Sequence, residues 1–493
     1  MTTRTAAALL ALLCALSLPI AAQVANPGFE EAREAVPTMP GAWRVDGDGG
    51  TVSLDTAHRH AGKQSVRIQK LEGAKFTGVG QAIDARPWRG KIVRLTAHLR
   101  AEGLSGGTAA LWLRTDGGGK RAIDFTSAAF QPEQGSADWT LHRALITVDD
   151  AADRLHFGAT LAAAGVLWVD TVELEELDPR KAAAPSQDAL DYIDEAVAKI
   201  RLNAYHEGRV DWEKAREIAR AMASGAVTKS DAHPAVSFLL RALKDRHSFL
   251  SPPSATRERS ENTRTDDFGI ASGRVLGKAF VSVPGFTGNH PVRTGAFADE
   301  LKERIRALAD DRPCGWIVDL RGNTGGNMYP MLDGLVPLLG EGTLGYFVGK
   351  QSRNAWYVKE GRAGPAAESA IGAGKVPPFV VDGGKPAIAV LTGPRTASSG
   401  EAVAVSFRER PDTRSFGQPT AGLSTANRGV RMSDGAMLLI TTSLFADRNG
   451  VVYGMEIAPD EPVAEGAKDS PLETDPVVMA AARWLDGLPK CAP

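Results

Sequence analysis

The alternation of apolar and polar residues divides the chain into a strand-rich first part and a mixed second part. Between residues 24 and 177 short alternating runs are separated by clusters of Gly, Asp and Pro; examples are residues 91–99, 109–114, 141–148 and 166–174. Alternation of this kind is typical of strands with one buried face, and turn residues at these intervals are typical of a sandwich. The first part is therefore predicted to be an all-β sandwich.

After residue 187 the period of the apolar residues changes. Leu190, Ile193, Val197 and Ile200 recur at helical spacing and predict a helix that opens a second domain. Further along, strand-like runs at residues 274–283, 315–320 and 387–392 alternate with helical segments at residues 297–308, 331–339 and 401–410. This order of strands and helices predicts an α/β domain.

The start of the chain has the pattern of a secretory signal. Arg4 precedes an apolar run at residues 6–18, and small residues follow up to Ala22. The run is shorter than the roughly 20 apolar residues that a membrane-spanning helix requires, so no transmembrane segment is predicted. We therefore expect an exported protein, periplasmic or secreted. The predicted boundaries are a signal peptide at 1–22, a β-sandwich accessory domain at 23–178, a linker at 179–187, a helical part at 188–255 and an α/β core at 256–493.

Composition narrows the classes of partner. The 493 residues carry a net charge of −2, with 43% hydrophobic and 24% charged residues, which is typical of a soluble globular protein and indicates no nucleic-acid partner. No metal-binding spacing is present, so neither a metal nor another cofactor is expected. Cys314 and Cys491 lie outside the predicted signal and could form a disulfide in an oxidising compartment, although spacing alone does not decide this.

The candidate chemistry begins at residues 396–401, between a β-branched run and a helical segment. A hydroxyl at the start of a helix lies near free backbone N–H groups and the positive end of the helix dipole, which favour a developing oxyanion. Ser398 is therefore a candidate nucleophile. The alternative is that Ser398 and Ser399 only cap the helix.

Two further stretches are candidates for the same site. The Gly-rich loop at residues 321–327 lacks the spacing of a nucleotide-binding loop, so Gly325 and Gly326 are instead candidate N–H donors to an oxyanion; a tight turn is the alternative. Among the histidines after the linker, His247 is the best placed as a base, because Asp245 precedes it and Ser248 follows it. An ordinary loop histidine is the alternative.

Several of these stretches resemble a known family. Residues 245–250, 316–331, 396–401, 416–422 and 457–460 are similar, in order and spacing, to the tail-specific or C-terminal processing serine peptidases, in particular to the nisin-resistance-protein branch. The resemblance covers roughly residues 188–480. It implies a ClpP/crotonase-like spiral core and hydrolysis of peptide bonds, with a peptide or protein as substrate.

The first domain carries a second resemblance. Residues 26–30, 135–139 and 168–170 are similar to jelly-roll modules of the carbohydrate-binding or galactose-binding type, which implies a possible glycan partner. The expected fold class is therefore multidomain: an all-β jelly-roll sandwich, then a helical subdomain and an α/β spiral peptidase core.

The peptidase resemblance also assigns roles by position. Ser398 would be the nucleophile, with the N–H of Ser399 and that of Gly325 or Gly326 forming the oxyanion hole. Many members use a lysine base where this chain has Leu423, so His247 takes that role, as in the nisin-resistance-like branch. Glu401, one helical turn after Ser398, would orient His247, with Glu456 in reserve.

Substrate binding and overall function complete these expectations. Asn327, Met328, Tyr329 and Met331 are predicted to line the cleft, with core packing as the alternative. The segment between Phe249 and the next strand is too short for the PDZ module of many relatives. The expected function is an exported serine peptidase that works by a Ser-His(-Glu) mechanism. The alternatives are a catalytically silent peptide or lipophile binder on the same scaffold and a glycan-binding surface protein.

Overall fold

A computed structural model describes residues 24–130, 132, 135–266, 268–365, 374–467 and 470–491. The predicted signal peptide at 1–22 lies outside the described residues. The chain divides into two compact units, of which the first ends at Pro185 and also includes Ala221–Gly225. The second holds Ser186–Arg220 and the chain from Ala226 onward. The division at Pro185 falls inside the segment predicted as a linker.

The first unit is a sandwich of two five-stranded antiparallel sheets, as predicted. One sheet has the order β10-β7-β12-β5-β4 and the other β3-β6-β11-β8-β9, while β1 and β2 form a separate pair. The strands are β1 (Ala32–Arg33), β2 (Val36–Pro40), β3 (Arg44–Gly47), β4 (Gly50–Asp55), β5 (Ser65–Lys70), β6 (Thr77–Asp84), β7 (Ile92–Ser105), β8 (Ala109–Gly117), β9 (Lys120–Phe130), β10 (Ala137–Thr147), β11 (Arg154–Leu161) and β12 (Ala164–Glu176).

Alternation along each strand builds the core of the sandwich. In β7, Val93, Leu95 and Ala97 are fully buried, and the residues between them face away from the core. Phe29 and Trp43 pack into the same core, with ring centroids 4.9 Å apart. The period-2 pattern of the sequence thus becomes the two faces of each sheet.

The second unit contains eight helices and twelve strands among the described residues. Its helices are α1 (Gln187–Asn203), α2 (Trp212–Met222), α3 (His233–Arg241), α4 (Pro253–Glu261), α5 (Pro291–Ala309), α6 (Met328–Leu339), α7 (Ser399–Phe407) and α8 (Pro476–Asp486). Its strands are β13 (Phe249–Ser251), β14 (Ser272–Val275), β15 (Lys278–Ser282), β16 (Trp316–Asp319), β17 (Gly342–Gly349), β18 (Arg353–Lys359), β19 (Arg362–Pro365), β20 (Ile388–Thr392), β21 (Thr413–Gly417), β22 (Thr425–Arg431), β23 (Met437–Asp447) and β24 (Glu461–Pro462).

Two sheets organise this unit. In the first, of order β14-β15-β16-β20-β21-β24, the strands from β15 to β24 are parallel and β14 is antiparallel. Its two faces are covered by helices: Val318 and Val390 pack with α5, α6 and α7, whereas Ile317 and Leu391 pack with α8. Burial on both faces explains the continuous apolar runs that predicted these strands. The second sheet has the order β13-β23-β17-β18-β19, with β22 also paired to β23.

One predicted element divides into two. The strand expected at residues 274–283 is a hairpin of β14 and β15, which turns at Leu276 and Gly277, both with positive φ. Glycine adopts that conformation without a steric cost, so the break has a local cause that an alternation pattern does not show. Within the described part of the chain, no helix is long and apolar enough to cross a membrane.

The two cysteines outside the predicted signal are joined. Cys314, two residues before β16, and Cys491 form a disulfide with their Cα atoms 4.9 Å apart and 177 positions between them in sequence. The bridge ties the end of the described chain to the entry of the central parallel strand.

Candidate active site

The candidate nucleophile sits in a strained turn. Ser398 joins the exit of β20 to α7 and has φ 53° and ψ −117°, a backbone conformation that residues with a side chain rarely adopt. Such a conformation persists only where surrounding contacts impose it. Here the N–H of Ser398 donates a 2.7 Å hydrogen bond to Oε2 of Glu401. The turn therefore holds the Ser398 side chain, which is partly exposed, at the N-terminus of α7.

The Gly-rich loop after β16 packs directly against this turn. The carbonyl of Asn323 accepts a 2.9 Å hydrogen bond from the N–H of Ala397, and Thr396 Oγ1 donates to the carbonyl of Leu320 at 2.9 Å. A Cβ atom on Gly400 would lie 2.6 Å from that same Asn323 carbonyl, so only glycine fits at position 400. The adjacent parallel strands β16 and β20 thus bring the two loops together at their carboxyl ends.

His247 lies beside Ser398, although 151 positions separate them in sequence. Its Nε2 is 2.9 Å from Oγ of Ser398, and the residue is 8% exposed. The loop after α3 delivers the ring, and Asp245 fixes that loop by accepting the N–H groups of His247 at 3.0 Å and Ser248 at 2.9 Å. The amide of Asn427 donates to the carbonyl of His247 at 2.7 Å. The predicted nucleophile and base are therefore in hydrogen-bond contact.

The second ring nitrogen of His247 faces a threonine. Nδ1 lies 2.6 Å from Oγ1 of Thr425, the first residue of β22. Burial lowers the pKa of His247 to about 4, against the opposing influence of the Asp245 carboxylate. The ring is therefore neutral at neutral pH, which is the form that can accept a proton from a hydroxyl.

Glu401 does not make the contact predicted for it. Its carboxylate is fully buried and points at the backbone of two loops rather than at His247. Oε2 accepts from the N–H groups of Ser398 (2.7 Å) and Leu423 (2.9 Å), and Oε1 accepts from Thr420 Oγ1 (2.5 Å) and the N–H of Gly422 (3.0 Å). Burial raises the pKa of Glu401 to about 7, although these donors favour the ionised form. The helical spacing does bring Glu401 next to Ser398, but on its backbone side.

The reserve acid does not orient the ring either. Glu456 is exposed and lies beside Gly422, where a Cβ atom would come 3.1 Å from its Cγ. Among the described residues, the hydrogen-bond partners of the His247 ring are Ser398 and Thr425. The expectation that Glu401 or Glu456 orients His247 is therefore wrong. A hydroxyl stands in that position.

The two glycines predicted for the oxyanion hole differ in their hydrogen bonding. The N–H of Gly325 donates to Oδ1 of Asn323 at 3.0 Å, whereas the N–H groups of Gly326 and Ser399 have no partner among the described residues. Both glycines have positive φ, and a Cβ on Gly325 would lie 2.8 Å from the Ser398 Cβ. Ser399 Oγ donates to the carbonyl of Gly326 at 2.7 Å, which fixes the exposed Gly326 beside the turn.

Comparison with known proteins identifies the family. The model of peptidase family S41 matches residues 278–463. The nisin-resistance protein of Lactococcus lactis subsp. lactis is 30% identical over 257 residues, which cover 51% of this chain and 73% of that protein. The chain belongs to peptidase family S41. The resemblance expected from the motifs is thereby confirmed, and the protein is a peptidase by family.

Solved structures are similar to each of its two parts. A lipoprotein from Streptococcus agalactiae is similar to this S41 peptidase with a TM-score of 0.48 and 22% identity, over 61% of this chain and 97% of that one. The CBM22-1 xylan-binding domain of Paenibacillus barcinonensis Xyn10C is similar with a TM-score of 0.23 and 15% identity, over 30% of this chain and 90% of that one.

The residues predicted to line the cleft separate into two groups. Met331 and Met328, at 0% and 6% exposure, belong to the core of the peptidase unit, so the core-packing alternative applies to them. They fall on the inner side of α6, and the amide of Asn323 approaches the Met331 sulfur at 3.1 Å. Asn327 caps α6 by accepting the N–H of Tyr329 at 3.2 Å, and both residues remain partly exposed. These two stay candidates for substrate contact.

Two residues of the site were missing from the sequence-based prediction. Thr425 touches the base, and Asn323 links the Gly-rich loop to the nucleophile turn. Asn323 lies within a motif of the family, two residues before Gly325, so its place in that motif was a signal that could have found it. Thr425 carries no such signal, because its contact with His247 joins residues 178 positions apart.

The contacts of Glu401 predict a specific cost of removing its charge. In Glu401→Gln the amide NH₂ group would face backbone N–H donors, so we expect the free energy of unfolding at pH 8 to fall by about 1–3 kcal/mol. Urea denaturation followed by circular dichroism measures this. Glu456→Gln, an exposed neighbour, is the matched control and should change the stability little. Equal stability of the two variants would contradict the role of Glu401 as a buried acceptor.

Proposed function

We propose that this S41 peptidase is an exported serine peptidase in which Ser398 is the nucleophile and His247 the general base. The observation that carries the proposal is the 2.9 Å contact between Oγ of Ser398 and Nε2 of a neutral, buried His247. The secretory pattern at residues 1–22 supports export. Glu401 is assigned a supporting role, in holding the turn.

The reaction follows from these positions. His247 Nε2 removes the proton of the Ser398 hydroxyl while Oγ attacks the carbonyl carbon of the substrate peptide bond. The tetrahedral intermediate collapses when His247 returns that proton to the leaving amine, the C–N bond breaks and an acyl-enzyme remains. A water molecule, deprotonated by His247, then attacks the ester. The second tetrahedral intermediate then collapses: the bond between Oγ and the acyl carbon breaks, the acid is released, and His247 returns the proton to Ser398 Oγ.

The oxyanion would be held by the N–H groups of Ser399 and Gly326. Both donors lack a partner among the described residues, whereas the Gly325 N–H is already used by Asn323. Ser399 is also the first residue of α7, where the helix dipole favours negative charge. Of the two glycines predicted for this task, we therefore assign Gly326. Gly325 then allows the loop to approach Ser398 closely.

Peptides are the substrate class, and recognition would not require a PDZ module. The segment between β13 and β14 spans residues 252–271 and contains the short helix α4. A segment of this size is too short to hold a PDZ module. Its length therefore supports a cleft that binds peptides directly, without a separate domain that captures their C-terminus. Asn327 and Tyr329, next to the Gly-rich loop, are the proposed substrate contacts.

Cleavage assays on a peptide library test the proposal. Wild type should cleave and Ser398→Ala should not, while His247→Ala should lose at least about 10²-fold in kcat, the usual size of a general-base effect. His58→Ala, a histidine of the sandwich, is the control and should keep full activity. If wild type and Ser398→Ala cleave equally, or if neither cleaves, the proposal fails. Binding without cleavage would favour a silent peptide binder.

The pH dependence of activity provides a separate test. His247 must be neutral to act as a base. Because its pKa is about 4, protonation of the ring lowers activity only as pH falls through about 4. Glu401 must be ionised to hold the turn, so with its pKa of about 7 the kcat/KM of wild type should rise as pH increases through about 7. In Glu401→Gln the step near pH 7 should disappear and the fall near pH 4 should remain. A step near pH 7 that persists in this variant would contradict the assignment.

A second candidate function concerns the sandwich and rests on one face of its sheet β3-β6-β11-β8-β9. Asp46 Oδ2, Trp112 Nε1 and His156 Nδ1 are buried on this face without a hydrogen-bond partner among the described residues. The strand register places Gly158 between Gly80 and Trp112, and the Asp46 and Arg44 side chains lie over Gly80 on this face. Sugar hydroxyls both donate and accept hydrogen bonds and would satisfy such atoms. A glycan array probed with the full chain would test this candidate.

A further inference from the structure

The base of the proposed mechanism is oriented by a neutral group. We propose that Thr425 is the positioning residue of His247, and that its hydroxyl takes at Nδ1 the place that a carboxylate has in a Ser-His-Asp triad. The contact of 2.6 Å between Thr425 Oγ1 and His247 Nδ1 carries this inference, which rests on the proposed function. Thr425 touches neither the substrate nor the reacting atoms in this scheme and acts through the ring.

The position of Thr425 is fixed by its strand. Thr425 begins β22, is 4% exposed and is paired with Leu444 of β23. Two residues further along β22, the amide of Asn427 donates to the carbonyl of His247 at 2.7 Å, and Thr441 Oγ1 donates to Asn427 at 3.0 Å. One strand therefore holds His247 by both its ring and its backbone. This double attachment restricts rotation of the imidazole.

The carboxylate of Glu401, which holds the backbone of Ser398, also holds Leu423, two residues before Thr425. The N–H groups of Ser398 and Leu423 share Oε2 of Glu401, at 2.7 and 2.9 Å. The carbonyl of Leu423 in turn accepts the N–H of Thr425 at 2.7 Å. The positions of Thr425 and Ser398 thus both depend on hydrogen bonds to the buried carboxylate of Glu401. Their separation is therefore set by hydrogen bonds to Glu401, although α7 and β21 lie between them in sequence.

A threonine hydroxyl satisfies what the base requires. When Nδ1–H donates to Thr425 Oγ1, the lone pair of Nε2 faces the Ser398 hydroxyl, which is the productive tautomer. Unlike a carboxylate, the hydroxyl carries no charge that would stabilise the imidazolium. Among the described residues, Asp245 is the charged group that acts on the ring, and it is hydrogen-bonded to the loop backbone. The ring consequently stays a weak base that is neutral over a wide pH range.

Four variants of the full chain test this positioning role. Thr425→Val removes the hydroxyl at nearly constant volume and should lower kcat about tenfold, the size of one hydrogen bond, with little change in KM. Thr425→Ser should restore kcat. Thr425→Asp should raise the titration midpoint of the His247 ring, followed by ¹⁵N NMR of the imidazole. Thr442→Val, the same exchange in β23, is the control and should match wild type.

The outcomes separate this inference from the proposed function. If Thr425→Val matches wild type while Ser398→Ala is inactive, the positioning role is wrong and the peptidase proposal stands. If wild type and Ser398→Ala behave alike, the proposed function fails, and the inference falls with it. If Thr425→Val does not fold, the other two variants decide. Full activity in Thr425→Ser with a raised midpoint in Thr425→Asp supports the role, and an unchanged midpoint overturns it.

Discussion

The buried carboxylate of Glu401 is the constraint on which the rest of the site depends. Burial of a charge is costly unless hydrogen bonds compensate it. Here the donors come from Ser398 and from residues 420–423, which are the two segments that the carboxylate holds together. One oxygen ties the strained backbone of Ser398 to Leu423, and the other ties Thr420 and Gly422. The nucleophile turn and the loop before β22 therefore form one rigid assembly. Because Thr425 follows this loop directly, the rigid assembly also fixes the contact between Thr425 Oγ1 and His247 Nδ1.

The parallel sheet explains why the assembly forms where it does. Strands β16 and β20 are neighbours and run in the same direction, so the loops that follow them emerge at one edge. Their backbones then approach too closely for a side chain at Gly400 or Gly325. Asn323 joins the two loops through its backbone carbonyl and its side chain. Where the two backbones meet, the N–H groups of Gly326 and Ser399 have no hydrogen-bond partner among the described residues.

Some features were predictable from residues alone and others were not. Alternation predicted the sandwich, and continuous apolar runs predicted the parallel strands, because burial on one or two faces leaves a local pattern. The hairpin at residues 274–283 was missed, since a two-residue turn at Leu276 and Gly277 reverses the chain without changing the alternation of apolar and polar residues. Met328 and Met331 were misassigned to the cleft, because an apolar residue near a motif fits the core and a peptide-binding surface equally well. Burial decided between the two.

The sequence by itself determined the two fold classes and the family and indicated Ser398 as the candidate nucleophile, because each of these leaves a short stretch with its own periodicity or motif. The tertiary structure decided which groups meet across long separations: His247 with Ser398, Thr425 with His247, and Glu401 with backbone rather than with the ring. Such contacts depend on distances of a few ångströms between residues far apart in the chain. Spacing in sequence carries no record of them, so only the folded chain could show that a hydroxyl faces the ring of His247.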